Sequence, residues 1–328
     1  MRAVRITEPG GPAVLELQPL ELPPPGPGEV VLRVRAAGVN RADLLQRRGL
    51  YPAPADALQD VPGLEVAGEV ERLGPGVRGV AEGERVMALL PGGGYAERAV
   101  VPAALLLPIP ERLSFAEAAA FPEVFYTAHD AFLQAELKAG ERVLVHAAGG
   151  GVGTAALQLA RLAACSLIIG TASRPKLEAI ARAGLPLDVG IDYNRGGFAD
   201  LVLERTGGKG ADVILDGVGA SYWHDNLRSL ATCGRLVVIG LLGGSRVELE
   251  LGVLMTRRAR VIGTVLRSRS LAEKASLTER VRTDLLPPLE RGEIGPVLDR
   301  CYPLAEAAAA HRYMEENLNV GKIVLEAD

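Results

Sequence analysis

The sequence predicts an α/β protein: a parallel, helix-covered sheet in the middle of the chain, preceded by a β-rich region. Three observations carry this reading. Between about residues 142 and 239, short apolar runs alternate with helical stretches, a pattern that calls for parallel strands joined by crossover helices. Residues 141–160 run from a five-residue apolar strand through a glycine turn into an amphipathic helix. The first hundred residues are instead short apolar runs separated by Gly and Pro clusters. At 328 residues the chain exceeds what one core ordinarily holds, so two domains are expected.

Taken in order, residues 30–34, 65–70 and 85–89 read as strands. Residues 19–28 carry five prolines, which lack the amide donor a helix or central strand needs, so this stretch is an extended entry into the next strand. Ser114-Phe115-Ala116-Glu117 has the capping-box pattern, and the Ala-rich run after it begins a helix. Residues 142–146, 167–170, 213–215 and 236–239 are the expected parallel strands. Near the end, an Ala-rich helix over 304–314 is followed by a short strand at 322–325.

Composition narrows the function. With 48% hydrophobic and 23% charged residues the chain is ordinarily globular, and with 4% aromatics its core has to be mainly Ala, Val, Leu and Ile. A net charge of -4, with no basic run longer than pairs such as Arg47-Arg48 and Arg257-Arg258, argues against nucleic acid as a partner. No apolar run approaches the ~18 residues of a membrane helix, and no signal-peptide pattern opens the chain. A cytoplasmic protein without a membrane partner is expected. Cys165, Cys233 and Cys301 are far apart, with no C-x-x-C pair, and read as buried thiols in a reducing compartment.

The glycine turn carries the strongest chemical signal. Ala147-x-x-Gly150-x-x-Gly153 lies between a clear strand and a clear helix, with the spacing of a dinucleotide fingerprint. Small residues are required there because the backbone turns sharply and approaches a pyrophosphate closely. The helix start then holds the phosphates with its free amides and dipole. An NAD-preferring site places Asp or Glu at the end of the second strand, to bind the ribose 2′-hydroxyl. Here that position reads Ser173-Arg174-Pro175-Lys176, a hydroxyl and two cations where a 2′-phosphate would sit, with Tyr193 able to flank it. The cofactor expected is NADPH.

Several further segments resemble one family. Ala36-Ala-Gly-Val-Asn40-Arg-Ala-Asp43-Leu44, Gly49-Leu-Tyr51-Pro52, Pro62-Gly-Leu-Glu-Val-Ala-Gly68 and Gly94-Tyr-Ala-Glu97 resemble the N-terminal signature of the zinc-free, zeta-crystallin-like quinone oxidoreductases, within the medium-chain dehydrogenase/reductase superfamily. Residues 146–153 resemble their cofactor turn. Gly219-Ala-Ser-Tyr-Trp223, Leu266-Arg-Ser-Arg269 and residues 313–325 are similar to the stress-inducible subgroup. The resemblance implies a doubly wound Rossmann sheet inserted into a GroES-like β-barrel catalytic domain. Residues 113–265 would form the Rossmann NADPH-binding domain, and residues 1–112 with 266–328 the GroES-like domain, with an active-site cleft at their junction and a homodimer formed through the Rossmann edge strands. Cofactor contacts carry over onto Thr127, Ala147, Gly150, Gly151, Val152, Gly153, Ser173, Lys176, Tyr193, Gly217, Val218, Gly240, Leu241, Asn319 and Lys322; Arg174 joins them from the charge argument above. The substrate-side residues are Asn40, Asp43 and Tyr51. Two departures stand out. Ala164 occupies the place of a usual Gly after the turn's helix, where a left-handed cap would strain it by about 1 kcal/mol, so a differently shaped loop is expected. Arg174-Pro175 replaces a polar pair before Lys176.

Zinc dehydrogenases of the same superfold hold their metal with thiolate and imidazole. Asn40 and Leu64 stand where the first Cys and the His would be, no Cys falls in 121–130, and the four histidines, His129, His146, His224 and His311, are scattered. An amide and a hydrophobe do not make a tetrahedral zinc site, so no metal is expected. Without a Lewis acid the chemistry suits acceptors that are already electrophilic, a quinone or an activated enone, with proximity to the nicotinamide supplying much of the rate. Asn40 and Tyr51 would donate hydrogen bonds to the acceptor oxygen, while Asp43 fixes their loop. A 2-enoyl thioester reductase and a non-catalytic, crystallin-like NADPH-binding protein are the alternatives.

Overall fold

The computed structural model describes residues 1–55 and 57–327. The chain divides into two compact units, Met1–Tyr126 with Leu266–Asp328, and Thr127–Val265.

The first unit opens with β1 (Arg2–Ile6) paired antiparallel to β2 (Leu15–Pro19). No regular element spans the prolines that follow, up to β3 (Glu29–Val39), an eleven-residue strand. Then come α1 (Arg41–Arg47), β4 (Glu65–Leu73), β5 (Arg85–Leu89), β6 (Arg98–Pro102) and β7 (Leu106–Pro108). The capping box at Ser114 is formed: its Oγ accepts from the Glu117 amide while its own amide donates to Glu117. It starts a helix of five residues, α2 (Phe115–Ala119), before α3 (Pro122–Gln134) begins. The compact unit therefore runs past residue 112 and includes α2.

The second unit alternates as its pattern demands: β8 (Arg142–Val145), α4 (Gly151–Leu162), β9 (Leu167–Ala172), α5 (Arg174–Arg182), β10 (Val189–Asp192), α6 (Ala199–Arg205), β11 (Ala211–Asp216), α7 (Trp223–Ser229), β12 (Leu230–Val238), α8 (Leu251–Arg257) and β13 (Arg260–Gly263). The chain then returns to the first unit with α9 (Leu271–Glu290), β14 (Leu298–Pro303), α10 (Ala307–Glu315) and β15 (Lys322–Glu326).

In the first unit the larger sheet has seven strands, six in the order β14-β15-β3-β4-β5-β7, with β6 also pairing with β3. β3 serves three partners because register shifts against β4, between Val31 and Leu32 and between Val34 and Ala36, bend it. Its start pairs with β6 and its end with β15. Its core is Val, Leu, Ala and Ile around the buried Tyr95, as the scarcity of aromatics requires.

The second unit is a six-stranded parallel sheet in the order β10-β9-β8-β11-β12-β13, the doubly wound Rossmann arrangement. Central strands β8 and β11 are buried, apolar runs, as a sheet covered on both faces needs. Two of its strands, β10 and β13, go beyond the four read from the pattern.

Two expectations are corrected. Ala164 does adopt the left-handed conformation (φ 55°), with the Cys165 amide donating to Ala160 O at 3.0 Å, so the helix cap keeps its usual shape on a strained alanine. Of the thiols only Cys165 is buried; Cys233 is exposed on β12 and Cys301 half-buried on the edge strand β14.

Candidate functional site

The register of the parallel sheet brings most of the expected cofactor residues to one edge. Val145 pairs with Gly170 and Leu215, Ala172 with Asp192, and Asp216 with Val238. Ala147, Ser173, Tyr193, Gly217 with Val218, and Gly240 with Leu241 therefore all lie just beyond the carboxyl ends of adjacent strands, where doubly wound sheets take their ligands.

At the turn, Ala147 is left-handed (φ 50°) and its carbonyl accepts the Gly150 amide at 2.8 Å. The first bond of α4 is Thr154 N–H to Gly150 O (2.8 Å), and Gly150 provides no side-chain cap. The first-turn amides of Gly151, Val152 and Gly153 are thus left without intrahelical partners, pointing out of the helix end. A Cβ on Gly153 would lie 2.7 Å from two backbone carbons of Ala148. Gly240 likewise crosses Gly217, where an added Cβ would be 3.0 Å from its carbonyl. The cradle is built from backbone at distances only glycine allows, and it fits a pyrophosphate.

Beyond it, Ser173 caps α5 without using its hydroxyl on the helix. The stem of Lys176 packs over Gly149, which ties this cation to the turn. Arg174 is exposed and pairs with Glu178 at 3.1 Å. Tyr193 is half-buried beside Ser173, set there by the Asp192–Ala172 pairing. Thr127 is half-buried on α3, at the start of the second unit.

Under the cradle runs a buried chain that sequence reasoning did not find. His146 Nδ1 is 2.9 Å from Thr171 Oγ1, and its Nε2 is 2.6 Å from Asn226 Oδ1. Burial lowers the His146 pKa, so the ring is neutral and carries one N–H. Asn226 uses its amide N–H on Asp216 (3.0 Å), so its oxygen faces His146 and the proton resides on Nε2. Thr171 then donates to Nδ1. Asp216 accepts the amides of Val218 (2.7 Å) and Gly219 (3.1 Å), while Thr171 O accepts the Ala148 amide (3.0 Å). One polar chain thereby holds both the turn after β8 and the loop after β11.

The first unit holds a second cluster. Asn40 caps α1, and Asp43 takes its amide at 2.8 Å, the Gly63 amide at 3.0 Å and the Tyr95 hydroxyl at 3.1 Å. Burial raises Asp43 to about 6, against these bonds. With both oxygens occupied, Asp43 orders the loop. Behind it, Arg47 donates to His311 Nδ1 and His311 Nε2–H to Tyr95, each at 3.1 Å; burial, then Arg47, pushes His311 down to about 3. The deeply buried Glu65 and Lys322 form an ion pair at 2.6 Å. Lys322 also donates to Asn40 Oδ1 (2.6 Å) and Val39 O (2.9 Å), and Asn40 Nδ2 donates to Glu65 Oε1 (2.8 Å).

Lys322 thus has all three N–H groups engaged inside this cluster, one of them on Asn40. Asn319 is also buried, with Nδ2 donating to Gly321 O at 2.8 Å and Oδ1 unpaired. Asn40 keeps one amide N–H. Tyr51 is half-buried under the Arg267 guanidinium, 5.0 Å from its ring centroid, and its hydroxyl has no partner among the described residues. Arg267 is locked by Tyr51 O (3.0 Å), Pro91 O (2.7 Å) and Gln46 Oε1 (2.5 Å). Glu123, at the start of α3, reads in sequence as an ordinary first-turn acid, yet its amide donates to Glu65 Oε2 at 2.8 Å and joins it to this cluster. Burial and then Glu65 raise its carboxyl to about 8. Among the described residues no group of three or more His, Cys, Asp or Glu is arranged to hold a metal ion.

Comparison with known proteins agrees with this architecture. Residues 26–111 match a family described as alcohol dehydrogenase GroES-like domain, and residues 185–325 one described as zinc-binding dehydrogenase. The chain is 37% identical to a quinone oxidoreductase of Pseudomonas aeruginosa, covering 96% of each. It is 36% identical to the synaptic vesicle membrane protein VAT-1 homolog of Rattus norvegicus, over 99% of this chain and 84% of that one. Among solved structures, a mycobacterial protein complexed with NADPH superposes with a TM-score of 0.89 at 32% identity, over 99% of this chain and all of that one. A protein titled NAD-dependent alcohol dehydrogenase gives 0.87 at 34%, covering all of both, and the CurK enoyl reductase 0.88 at 29%, over 100% and 99%.

Proposed function

Because this chain belongs to the medium-chain dehydrogenase/reductase superfamily, as an oxidoreductase with quinone oxidoreductase relatives, we propose that it reduces quinones and related activated enones with NADPH and without zinc. The carrying observation is the strand end at Ser173, Arg174 and Lys176. It has no acid for a ribose 2′-hydroxyl, and it presents a hydroxyl and two cations next to a cradle with three open amides. Gly150, Gly151, Val152 and Gly153 would hold the pyrophosphate, and Ser173, Arg174, Lys176 and Tyr193 the 2′-phosphate. Thr127, Gly217, Val218, Gly240 and Leu241 would border the rest of the cofactor. Bound NADPH supplies a hydride equivalent. The protein's share is to donate hydrogen bonds to the acceptor oxygen, from Tyr51 and the remaining N–H of Asn40, with Asp43 holding their loop.

Independence from zinc is supported by donor chemistry: the amide of Asn40 is committed to Glu65 and Lys322, and Leu64 is an apolar core residue. A homodimer through β13 is supported by the exposed apolar side chains of Val261 on this edge strand and Val265 just after it, with Leu251 and Met255 exposed on the preceding α8. The free, exposed Cys233 suits a reducing, cytoplasmic compartment. One observation favours a second reading: the unengaged Tyr51 hydroxyl, together with the likeness to an enoyl reductase, suits a 2-enoyl thioester as acceptor.

The test is cofactor oxidation by the purified protein with a naphthoquinone, an enone and crotonyl thioester, each with NADPH and NADH, with and without chelator. Turnover of the quinone with NADPH preferred and chelator without effect is expected. Preference for NADH, or loss of activity with chelator, refutes the corresponding part. Faster turnover of the thioester moves the assignment to the second reading.

A further inference from the structure

We propose that Glu123 is the acid that protonates the reduced acceptor, a role deepening the reductase reading above and resting on it. Three features of the first unit lead there. The Glu123 amide is bonded to Glu65, the same carboxylate that holds Lys322 and the Asn40 amide, so the start of α3 is tied to the residues expected to meet the acceptor oxygen. The Glu123 carboxyl has no hydrogen bond or ion pair with any described residue, and it lies within electrostatic reach of the Tyr51 phenol. The cations that face it, Lys322 from β15 and Arg267, are engaged with other acceptors, while Glu65 from β4 and Asp43 from α1 add negative charge.

An unpaired carboxyl in such surroundings keeps its proton, here up to about 8, which makes it the one group of the cluster poised to give a proton near neutral pH. Burial raises the Tyr51 phenol above its ordinary value, leaving it a hydrogen-bond donor rather than a proton source. The step balances simply. The acceptor gains a hydride equivalent and carries its negative charge on oxygen. The Glu123 O–H bond breaks, an O–H bond forms on the acceptor, and the resulting carboxylate is reprotonated from solvent. A phenolate- or enolate-type oxygen is a stronger base than this carboxylate, so the transfer runs downhill.

The experiment compares wild type, Glu123→Gln and Glu123→Asp in NADPH-dependent naphthoquinone reduction across pH, alongside difference infrared spectra of the cofactor-free proteins. Wild-type turnover should fall above about pH 8. Glu123→Gln should be slower by roughly 100-fold, lack that limb, and bind NADPH as before; Glu123→Asp should regain part of the rate together with a limb. The infrared carboxylic-acid band that disappears as wild type passes about pH 8 should be missing from Glu123→Gln. A Glu123→Gln enzyme with wild-type rate and limb overturns the proposal and leaves the reductase reading intact. Absence of the band in wild type does the same, even if the Gln variant does not fold. A wild type that oxidises NADPH with no acceptor overturns both.

Discussion

Replacing Gly153 by Ala tests the cofactor cradle with a single methyl group. The added Cβ would stand 2.7 Å from the Cα and carbonyl carbon of Ala148, and closer still to the Ala147 carbonyl oxygen. Every one of these atoms is backbone, so no rotamer change relieves the clash. Ordinary contact needs roughly 0.7 Å more, and only the turn or the helix start can provide it. Overpacking of this kind costs about 1–3 kcal/mol in stability. The same shift misaligns the first-turn amides, and losing one bond from them to a charged phosphate costs about 1.5–3 kcal/mol, or roughly a 10- to 150-fold rise in Kd. NADPH fluorescence titration and calorimetric unfolding measure the two effects. Gly252→Ala is the control: it lies in α8 with open space around it and should leave binding unchanged. NADPH affinity within about twofold of wild type in Gly153→Ala would refute the assignment of this turn to the pyrophosphate.

Three other predictions follow from single positions. Ala164→Gly removes a left-handed alanine at φ 55°, a gain of about 1–2 kcal/mol offset by about 0.4–1 kcal/mol of unfolded-state entropy. Calorimetry should show Tm raised by up to a few degrees, and a lowered Tm contradicts the strain. Tyr51→Phe should lower quinone turnover roughly tenfold at unchanged Tm and NADPH affinity, because its hydroxyl makes no bond within the described protein. Asn40→Ala should lower both turnover and Tm, since it also strips partners from Glu65 and Lys322, a loss of about 1–3 kcal/mol. Full turnover in both variants removes these residues from the acceptor site.

How much was legible in the sequence depends on whether the signal is local. The turn from Ala147 to Gly153 could be read because strand, glycines and helix are contiguous, and β8, β9, β11 and β12 announce themselves as apolar runs. β10 and β13 did not, because each has four residues including a glycine and lies at a sheet edge, where burial writes no continuous pattern. Ser114 marked a helix start correctly, but a cap does not encode the length of what it caps.

The sequence by itself determined the glycine turn after β8, the missing acid after β9 and the unsuitability of Asn40 and Leu64 as zinc ligands, since each depends on residue identity or on neighbours a few positions away. Only the tertiary structure decided what surrounds Lys322 and Glu123. Lys322 meets Glu65 across 257 positions because β15 and β4 flank the same strand, β3, and the same ammonium reaches Asn40. Burial and the charge of Glu65 raise the Glu123 carboxyl above its ordinary range. A protonation state is set by the field of whatever surrounds a group in space, and residues that distant in sequence become neighbours only when the chain folds.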